Sequence, residues 1–257
     1  MLQYGLIGHP LGHSFSAGFF SEKFKREGIS ARYDNFDLPT VDDLRSFVED
    51  HPDLVGFNVT IPHKQAVIAH LDTLSSEAQT IGAVNVVRVE RKTDGKILLH
   101  GFNSDFIGFT DSLRPLLRPH HRRAFVLGTG GASRAVVYGL HRLGISPTFV
   151  TRTRHAETMN VGGVSVPVVE YAELLPAHFA SVHLIVNCSP LGMHPREAEA
   201  PALPYEALTD RHLLYDLIYN PLETRFLALG RMQGATIKNG LEMLHLQALA
   251  AWKIWQE

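Results

Sequence analysis

Asn58, Thr60 and Lys64 stand together in Gly56-Phe57-Asn58-Val59-Thr60-Ile61-Pro62-His63-Lys64. They offer two hydrogen-bonding side chains beside an amine that can carry a proton. Residues two apart on a strand share a face, so Asn58 and Thr60 project together. Phe57, Val59 and Ile61 take the opposite face, which suits a core. Pro62 fits the first position of a helix, where its missing N–H costs nothing. That places Lys64 in the first helical turn, where a cation is out of place in the helix field. The same pattern also describes an edge strand with a solvated polar face.

Other segments carry chemistry at the junctions of elements. Gly8-His9-Pro10-Leu11-Gly12-His13-Ser14-Phe15-Ser16 ends a strand and opens a helix. Ser14 and Ser16 therefore offer hydroxyls at a helix N-terminus, a seat for a carboxylate, although N-capping by Ser14 explains as much. Asp105 follows Gly101-Phe102-Asn103-Ser104 and precedes a helix that it could simply cap. Asn85, in Gly82-Ala83-Val84-Asn85, is a polar residue at a strand start.

Ala124-Phe125-Val126-Leu127-Gly128-Thr129-Gly130-Gly131-Ala132-Ser133-Arg134-Ala135 reads as strand, glycine loop and helix start. Gly128, Gly130, Gly131 and Ala132 let backbone approach a pyrophosphate at the helix N-terminus. Ser133 occupies the third glycine position of the dinucleotide fingerprint, and a tight turn without a ligand is the alternative reading. The next strand ends in Val150-Thr151-Arg152-Thr153-Arg154. An NAD site normally puts Asp or Glu there to hold the ribose 2′-hydroxyl. Two guanidiniums interleaved with the hydroxyls of Thr151 and Thr153 suit a 2′-phosphate instead, which points to NADP. Solvated surface arginines are the plainer alternative.

The elements that must position these residues alternate along the chain. Strands are expected at 4–8, 33–38 and 54–60, and helices at 14–28 and 41–49. A hairpin over Arg91-Lys92-Thr93-Asp94-Gly95-Lys96 joins strands at 84–89 and 97–100, and a helix follows at 106–113. A second unit begins near Arg123, with strands at 124–128, 147–151, 164–169, 184–188 and 213–217 and a helix at 135–143. The last helix, 241–255, carries Leu241, Leu244, Ala248, Trp252 and Trp255 on one stripe, with Gln247 off it. Such alternation argues for parallel sheets with crossover helices.

Composition narrows the class. The chain has 257 residues, 45% of them hydrophobic, with 24 basic against 26 acidic side chains. That balance suggests neither a nucleic-acid partner nor an anionic membrane surface. No apolar run approaches the ~20 residues that span a bilayer. The first residues, Met1-Leu2-Gln3-Tyr4-Gly5-Leu6-Ile7-Gly8, lack a charged n-region and do not read as a signal peptide. The single cysteine, Cys188, fits a reducing compartment and a small buried residue, so a cytoplasmic location is expected. Fifteen histidines are scattered, with one adjacent pair at His120-His121, and show no zinc-ligand spacing, so no metal is expected.

Taken in order, GHPLGHSFS, GFNVTIPHK, GAVN, GFNSD, GTGGASRA, NCSPLGM, YDLIYNP and NGLEMLHLQALAAW resemble the shikimate dehydrogenase family over essentially the whole chain. The resemblance implies NADP-linked, reversible reduction of 3-dehydroshikimate to shikimate on the route to chorismate and aromatic amino acids. It implies that Ser14 and Ser16 bind the substrate carboxylate, and that Thr60, Asn85, Tyr219 and Gln247 contribute to substrate binding. Lys64 and Asp105 would form the catalytic pair. Ser189, Leu217 and Gly240 would border the nicotinamide, alongside the glycine loop and residues 151–154. The implied fold is α/β. An N-terminal α/β substrate domain, 1–105, is completed by a returning C-terminal helix at about 239–257. A Rossmann-like NADP-binding domain spans 106–238. A monomer or homodimer acting on a small molecule is expected. Ala17 and Phe19-Phe20 stand where the family usually has proline and a His-Asn pair, Ser104 where threonine is usual and Thr151 where asparagine is common. A quinate/shikimate dehydrogenase with relaxed substrate or cofactor use, and a catalytically silent nucleotide-binding regulator, are the alternative readings.

Overall fold

A computed structural model describes residues 1–12 and 14–257. His13, part of the first family-like block, lies outside the described residues. Contacts divide the chain into two units, Met1–Ser104 with Ala248–Glu257, and Asp105–Gln247.

The first unit contains β1 (Leu2–Gly8), α1 (Phe15–Glu27), β2 (Ala31–Asp37), α2 (Leu44–Asp50), β3 (Leu54–Val59), β4 (Thr73–Leu74), α3 (Ser76–Ile81), β5 (Val86–Arg91) and β6 (Ile97–Phe102). Its six-stranded sheet has the order β2-β1-β3-β5-β6-β4. β1 runs parallel to β2 and β3, while β5 and β6 are antiparallel around the expected hairpin turn. Alternation sends neighbouring side chains to two cores. Ile7, Phe57, Val59 and Val87 join Leu44 and Val48 of α2 on one face. Tyr4, Tyr33 and Val86 join Phe20 and Phe24 of α1 and Ala251 and Trp255 on the other. Phe20 stacks on Tyr33 at 4.8 Å between ring centroids. The aromatic pair Phe19-Phe20 thus builds this second core.

The segment after β3 departs from expectation. Residues 61–65 form turns and 66–70 a 3₁₀ helix, so Pro62 does not start an α-helix and Lys64 is not in a first α-helical turn. Ile61 is 72% exposed instead of facing a core. The reason lies in how the chain leaves the sheet. Thr60 still bonds to β1, its N–H donating to the Ile7 carbonyl at 2.9 Å, but its own carbonyl accepts from His63 N–H and turns the chain. The buried His63 ring donates to the Leu38 carbonyl at 2.6 Å and holds the turn against the end of β2.

The second unit contains α4 (Asp105–Leu113), β7 (Arg123–Leu127), α5 (Gly131–Arg142), β8 (Ser146–Thr151), β9 (Thr158–Val161), β10 (Val164–Glu170), β11 (Leu184–Asn187), β12 (Leu213–Asp216), α6 (Arg225–Met232), β13 (Thr236–Lys238) and the start of α7 (Leu241–Gln256). Its seven-stranded sheet has the order β13-β12-β11-β7-β8-β10-β9. All neighbours are parallel except the β9–β10 hairpin. Without β9, this is the doubly wound order of a Rossmann-like domain, and the strand order reverses between β7 and β11. Nearly continuous apolar strands such as Leu184–Asn187 fit a sheet buried on both faces. The end of α7 belongs to the first unit, where the Trp255 indole N–H donates to the Val87 carbonyl at 3.0 Å.

Candidate active site

In the first unit, one polar junction gathers four of the expected residues. The Asn85 carbonyl accepts from Val59 N–H at 2.9 Å and from the Asn58 side-chain amide at 3.1 Å. The Asn58 oxygen in turn accepts from the Tyr33 hydroxyl at 2.8 Å. Burial pushes that hydroxyl's pKa up, and a hydrogen bond to Ser16 opposes the shift. Ser16 therefore joins a chain of contacts that runs through Tyr33 and Asn58 to Asn85. Lys64 enters through its backbone, its carbonyl accepting from Val84 N–H at 2.7 Å. Thr60 sits at the mouth of the same turn, half-buried. Asn58 is a brace, its side chain committed on both sides to Tyr33 and Asn85.

Ser14 caps α1, its oxygen accepting from Ala17 N–H at 3.4 Å. Capping uses a lone pair and leaves the O–H free to donate, so the cap and a carboxylate site are compatible. The Asn85 side chain reaches the other way. Its amide donates to Ser104 Oγ at 3.0 Å and its oxygen accepts from Ser104 N–H at 2.7 Å. The serine that replaces the family's usual threonine keeps this hydroxyl contact and fixes the residue that precedes Asp105 in the chain.

In the second unit, Asp105 opens α4, 2% exposed, where a carboxylate suits the helix field. Gly108 lets α4 approach α7 closely, since a Cβ there would lie 2.5 Å from the Met243 carbonyl and 3.0 Å from Gln247 N. Asp105 and Gln247 thus belong to one tightly packed helix pair. Tyr219 lies half-buried in the loop after β12. Gly240 presses on Leu217, where any Cβ would fall 2.0 Å from the Leu217 carbonyl oxygen. Two of the three expected nicotinamide-border residues are therefore direct neighbours.

The glycine loop fits a dinucleotide. Gly128 takes φ +106°, a left-handed conformation that favours glycine, and lies against the Cys188-Ser189 backbone at the strand-order reversal. Gly130 caps α5 without a side-chain hydrogen bond and faces open space. With Gly131 and Ala132, it leaves the N–H groups of a twelve-residue helix directed at whatever the loop holds. Ser133 takes the third glycine position because its hydroxyl folds back onto the Gly130 carbonyl at 2.6 Å.

The residues after β8 separate into two kinds. Arg152 is exposed, and among the described residues it makes no ion pair. Thr151 Oγ donates to the Thr153 carbonyl at 3.2 Å and closes a tight turn. Arg154, expected to share the phosphate, is engaged within the protein. Its guanidinium pairs with Glu157 at 3.2 Å and Glu173 at 3.3 Å. Its backbone N–H donates to Glu170 at 2.8 Å.

Sequence reasoning missed a buried network at the ends of β11 and β12. Asn187 and Asp216 are both fully buried. Asp216 accepts from Asn187 at 3.1 Å, Ile218 N–H at 3.1 Å and the Thr224 hydroxyl at 2.6 Å. Asn187 in turn accepts from Ser189 N–H and Oγ, at 3.0 and 2.7 Å. Burial raises the Asp216 carboxyl to about 6 despite these donors. It also pushes the Cys188 thiol well above its ordinary range, with Asp216 adding to the shift, so Cys188 is no ready nucleophile. A charge ending the apolar strand Leu213-Leu214-Tyr215-Asp216 was the available signal.

Comparison with known proteins places this arrangement. The family model described as the shikimate dehydrogenase substrate binding domain matches residues 6–87. The NADP(+) shikimate dehydrogenase of Symbiobacterium thermophilum is 37% identical over 98% of this chain and 87% of its own length. A crystal structure of the Listeria monocytogenes shikimate 5-dehydrogenase, in complex with shikimate and NAD, is similar at TM-score 0.85 and 25% identity over 99% of this chain and 91% of that one. The Thermus thermophilus enzyme, in complex with NADP(H) and shikimate, is similar at TM-score 0.83 and 32% identity over 99% and 93%. From its first strand to its last helix, the chain belongs to the shikimate dehydrogenase family.

Proposed function

We propose that this protein is an NADP-dependent shikimate dehydrogenase that reversibly reduces 3-dehydroshikimate to shikimate, serving chorismate and aromatic amino acid synthesis. The reading rests on the junction that ties Ser16, Lys64 and Asn85 to one hydrogen-bonded frame, in a chain whose relatives at 37% identity over 98% of its length are NADP(+) shikimate dehydrogenases.

Ser14 and Ser16 donate to the substrate carboxylate. Thr60, Asn85, Tyr219 and Gln247 hold the ring and its hydroxyls, which fixes the reacting carbon and excludes misplaced substrates. Lys64 Nζ gives its proton to the substrate oxygen during reduction and recovers it during oxidation, and Asp105 is its catalytic partner. The chemistry that NADPH supplies when bound is hydride donation from the nicotinamide C4. Gly128, Gly130, Gly131 and Ala132 present backbone N–H groups to the diphosphate. Arg152, with Thr151 and Thr153, takes the 2′-phosphate, and Ser189, Leu217 and Gly240 line the nicotinamide side. Arg154 belongs to the frame of this loop, in keeping with its ion pairs to Glu157 and Glu173. The working form is a monomer or homodimer in the cytoplasm.

Initial rates with shikimate and with quinate, each against NADP and NAD, test the reading. Turnover is expected with shikimate and NADP, with quinate and NAD far poorer. Equal use of quinate would give the broader dehydrogenase instead, and no turnover with any pair would leave a nucleotide-binding regulator.

A further inference from the structure

We propose that Arg154 sets the preference for a 2′-phosphorylated cofactor without contacting it, by neutralising carboxylates that would otherwise repel that phosphate. The inference rests on the NADP reading above. It starts from a peculiarity of the loop after β8. The position that would hold an acid in an NAD site is filled by Arg152, yet acids reach the same place from the next strand. Glu170, the last residue of β10, is the register partner of Thr151 at the end of β8. Neighbouring strands lie ~4.8 Å apart, so this carboxylate stands one strand spacing from the phosphate-reading turn.

Two more acids join it. Glu170 N–H donates to the Glu173 carboxylate at 2.6 Å, which anchors Glu173 beside Glu170. Glu157, whose carbonyl accepts from Val168 N–H of β10 at 2.9 Å, brings a third carboxylate to the Arg154 guanidinium. Three carboxylates therefore surround a turn whose only guanidiniums are those of Arg152 and Arg154. Arg154 meets all three, Glu157 and Glu173 through its guanidinium and Glu170 through its backbone N–H. Arg152 is exposed and, among the described residues, pairs with none of the three. Arg154 is therefore the guanidinium committed to the carboxylates, and Arg152 the one left at the surface of the turn.

Electrostatics gives the division of labour. A 2′-phosphate brings close to two negative charges, and unmasked carboxylates a few ångströms away repel it even through partly solvated surroundings. A ribose with a free 2′-hydroxyl feels little of this and can donate to a carboxylate. Arg154 thus tips the balance between the two dinucleotides from behind the binding surface. The side chain of Arg154 is 27% exposed, those of Glu157 and Glu173 81% and 44%, so screening limits the effect to a modest one.

Titration calorimetry of the full chain with adenosine 2′,5′-bisphosphate and adenosine 5′-monophosphate, which differ only in the 2′-phosphate, is the test. The wild type is expected to prefer the bisphosphate. Arg154→Gln should weaken the bisphosphate about 5-fold to 10-fold and leave the monophosphate within about 2-fold, with a smaller loss at high salt. Arg154→Lys should keep the preference. Adding E157Q and E173Q to R154Q should restore most of the lost affinity, because the repulsion goes with its source. E157Q/E173Q alone, which retains Arg154 and its fold, should bind the bisphosphate more tightly than wild type. Equal weakening of both ligands by R154Q would make Arg154 a mere loop brace. Failure of E157Q/E173Q to rescue R154Q would make it a direct phosphate ligand. Either result overturns the proposal, whereas a wild type indifferent to the 2′-phosphate would overturn the NADP reading itself.

Discussion

The side-chain amide of Asn58 donates to the main-chain carbonyl of Asn85 at 3.1 Å, and that carbonyl also receives the Val59 N–H. One acceptor thus joins the end of β3 to the start of β5, the two places from which Thr60 and Asn85 emerge. The Tyr33 hydroxyl closes the arrangement on the Asn58 oxygen at 2.8 Å. An amide is needed here because it must donate on one side and accept on the other.

Asn58→Asp should therefore be worse than Asn58→Ala. The alanine variant leaves the buried Tyr33 hydroxyl without this acceptor, a loss on the order of 1–3 kcal/mol. The carboxylate would restore the acceptor but turn a second oxygen toward the Asn85 carbonyl. Urea unfolding monitored by tryptophan fluorescence, which reports on Trp255 in the same core, should rank wild type above N58A above N58D. An aspartate variant as stable as wild type would mean that Asn58 does not brace Asn85.

Lys64→Ala should lose on the order of 10³ in kcat with little change in KM, the signature of a group that acts on the proton in the transition state. The Lys64 carbonyl that Val84 N–H engages is unaffected by the substitution, so the turn should persist. A large rise in KM with kcat kept would recast Lys64 as a binding residue.

Much of this molecule can be read from its residues. Gly28 ends α1 in the left-handed conformation, the Lys92–Lys96 turn closes the β5–β6 hairpin and the glycine loop opens α5. These features are local and depend on a few residues each. The exit from β3 was misread because the burial of His63 against the Leu38 carbonyl, 25 residues away in the chain, overrides the helix-start pattern around Pro62. The ion pairs of Arg154 are hidden from the sequence for a similar reason. Glu170 and Glu173 claim it from the next strand, and register between strands is invisible in a linear reading. β9, Thr158-Met159-Asn160-Val161, is too short to show a period and pairs with β10 across the Gly162-Gly163 turn.

Asp216 should make the second unit less stable as pH rises from about 4 to 6. Its carboxyl titrates near 6 when folded, against 3.8 as an ordinary aspartate, with burial the main cause. The folded state then binds more protons in that window, so the contribution is present below pH 3.8 and lost as pH rises through 6. Asp216→Asn removes the charge and keeps an oxygen for Ile218 and Asn187, while the Thr224 hydroxyl can turn and accept. It should gain stability at pH 7, on the order of 2 kcal/mol. Asp216→Ala should lose several kcal/mol by stranding three buried donors. Chemical denaturation at pH 5 and pH 7 decides the matter, and an asparagine variant less stable than wild type at pH 7 would show that the ionised carboxylate is needed.

The imidazoles of His121, His183 and His212, at the opposite ends of the same strands, should act in the other direction. His120, His121, His183 and His212 lie in a row, with ring centroids 4.5, 5.2 and 5.2 Å apart. Both His120 and His121 donate to the Arg211 carbonyl. His121 Nδ1 accepts from Arg118 N–H and His212 Nδ1 from Thr209 N–H, each at 2.9 Å. Protonation would break those bonds and place charges beside one another and beside Arg211. Burial is the first cause that holds the His121 ring down to about 4, and it also depresses His183 and His212. The unfolded chain therefore binds more protons between pH 6.5 and about 4, so this stability is complete above pH 6.5 and drains away as pH falls. In a D216N background, which removes the opposing carboxyl, stability should fall steeply below pH 6, by more than one proton's worth per unfolding event. His121→Asn in that background should flatten the slope whatever it does to the midpoint. An unchanged slope would mean that the cluster is already charged in the folded protein, against the neutral tautomer that the Arg118 and Arg211 bonds require.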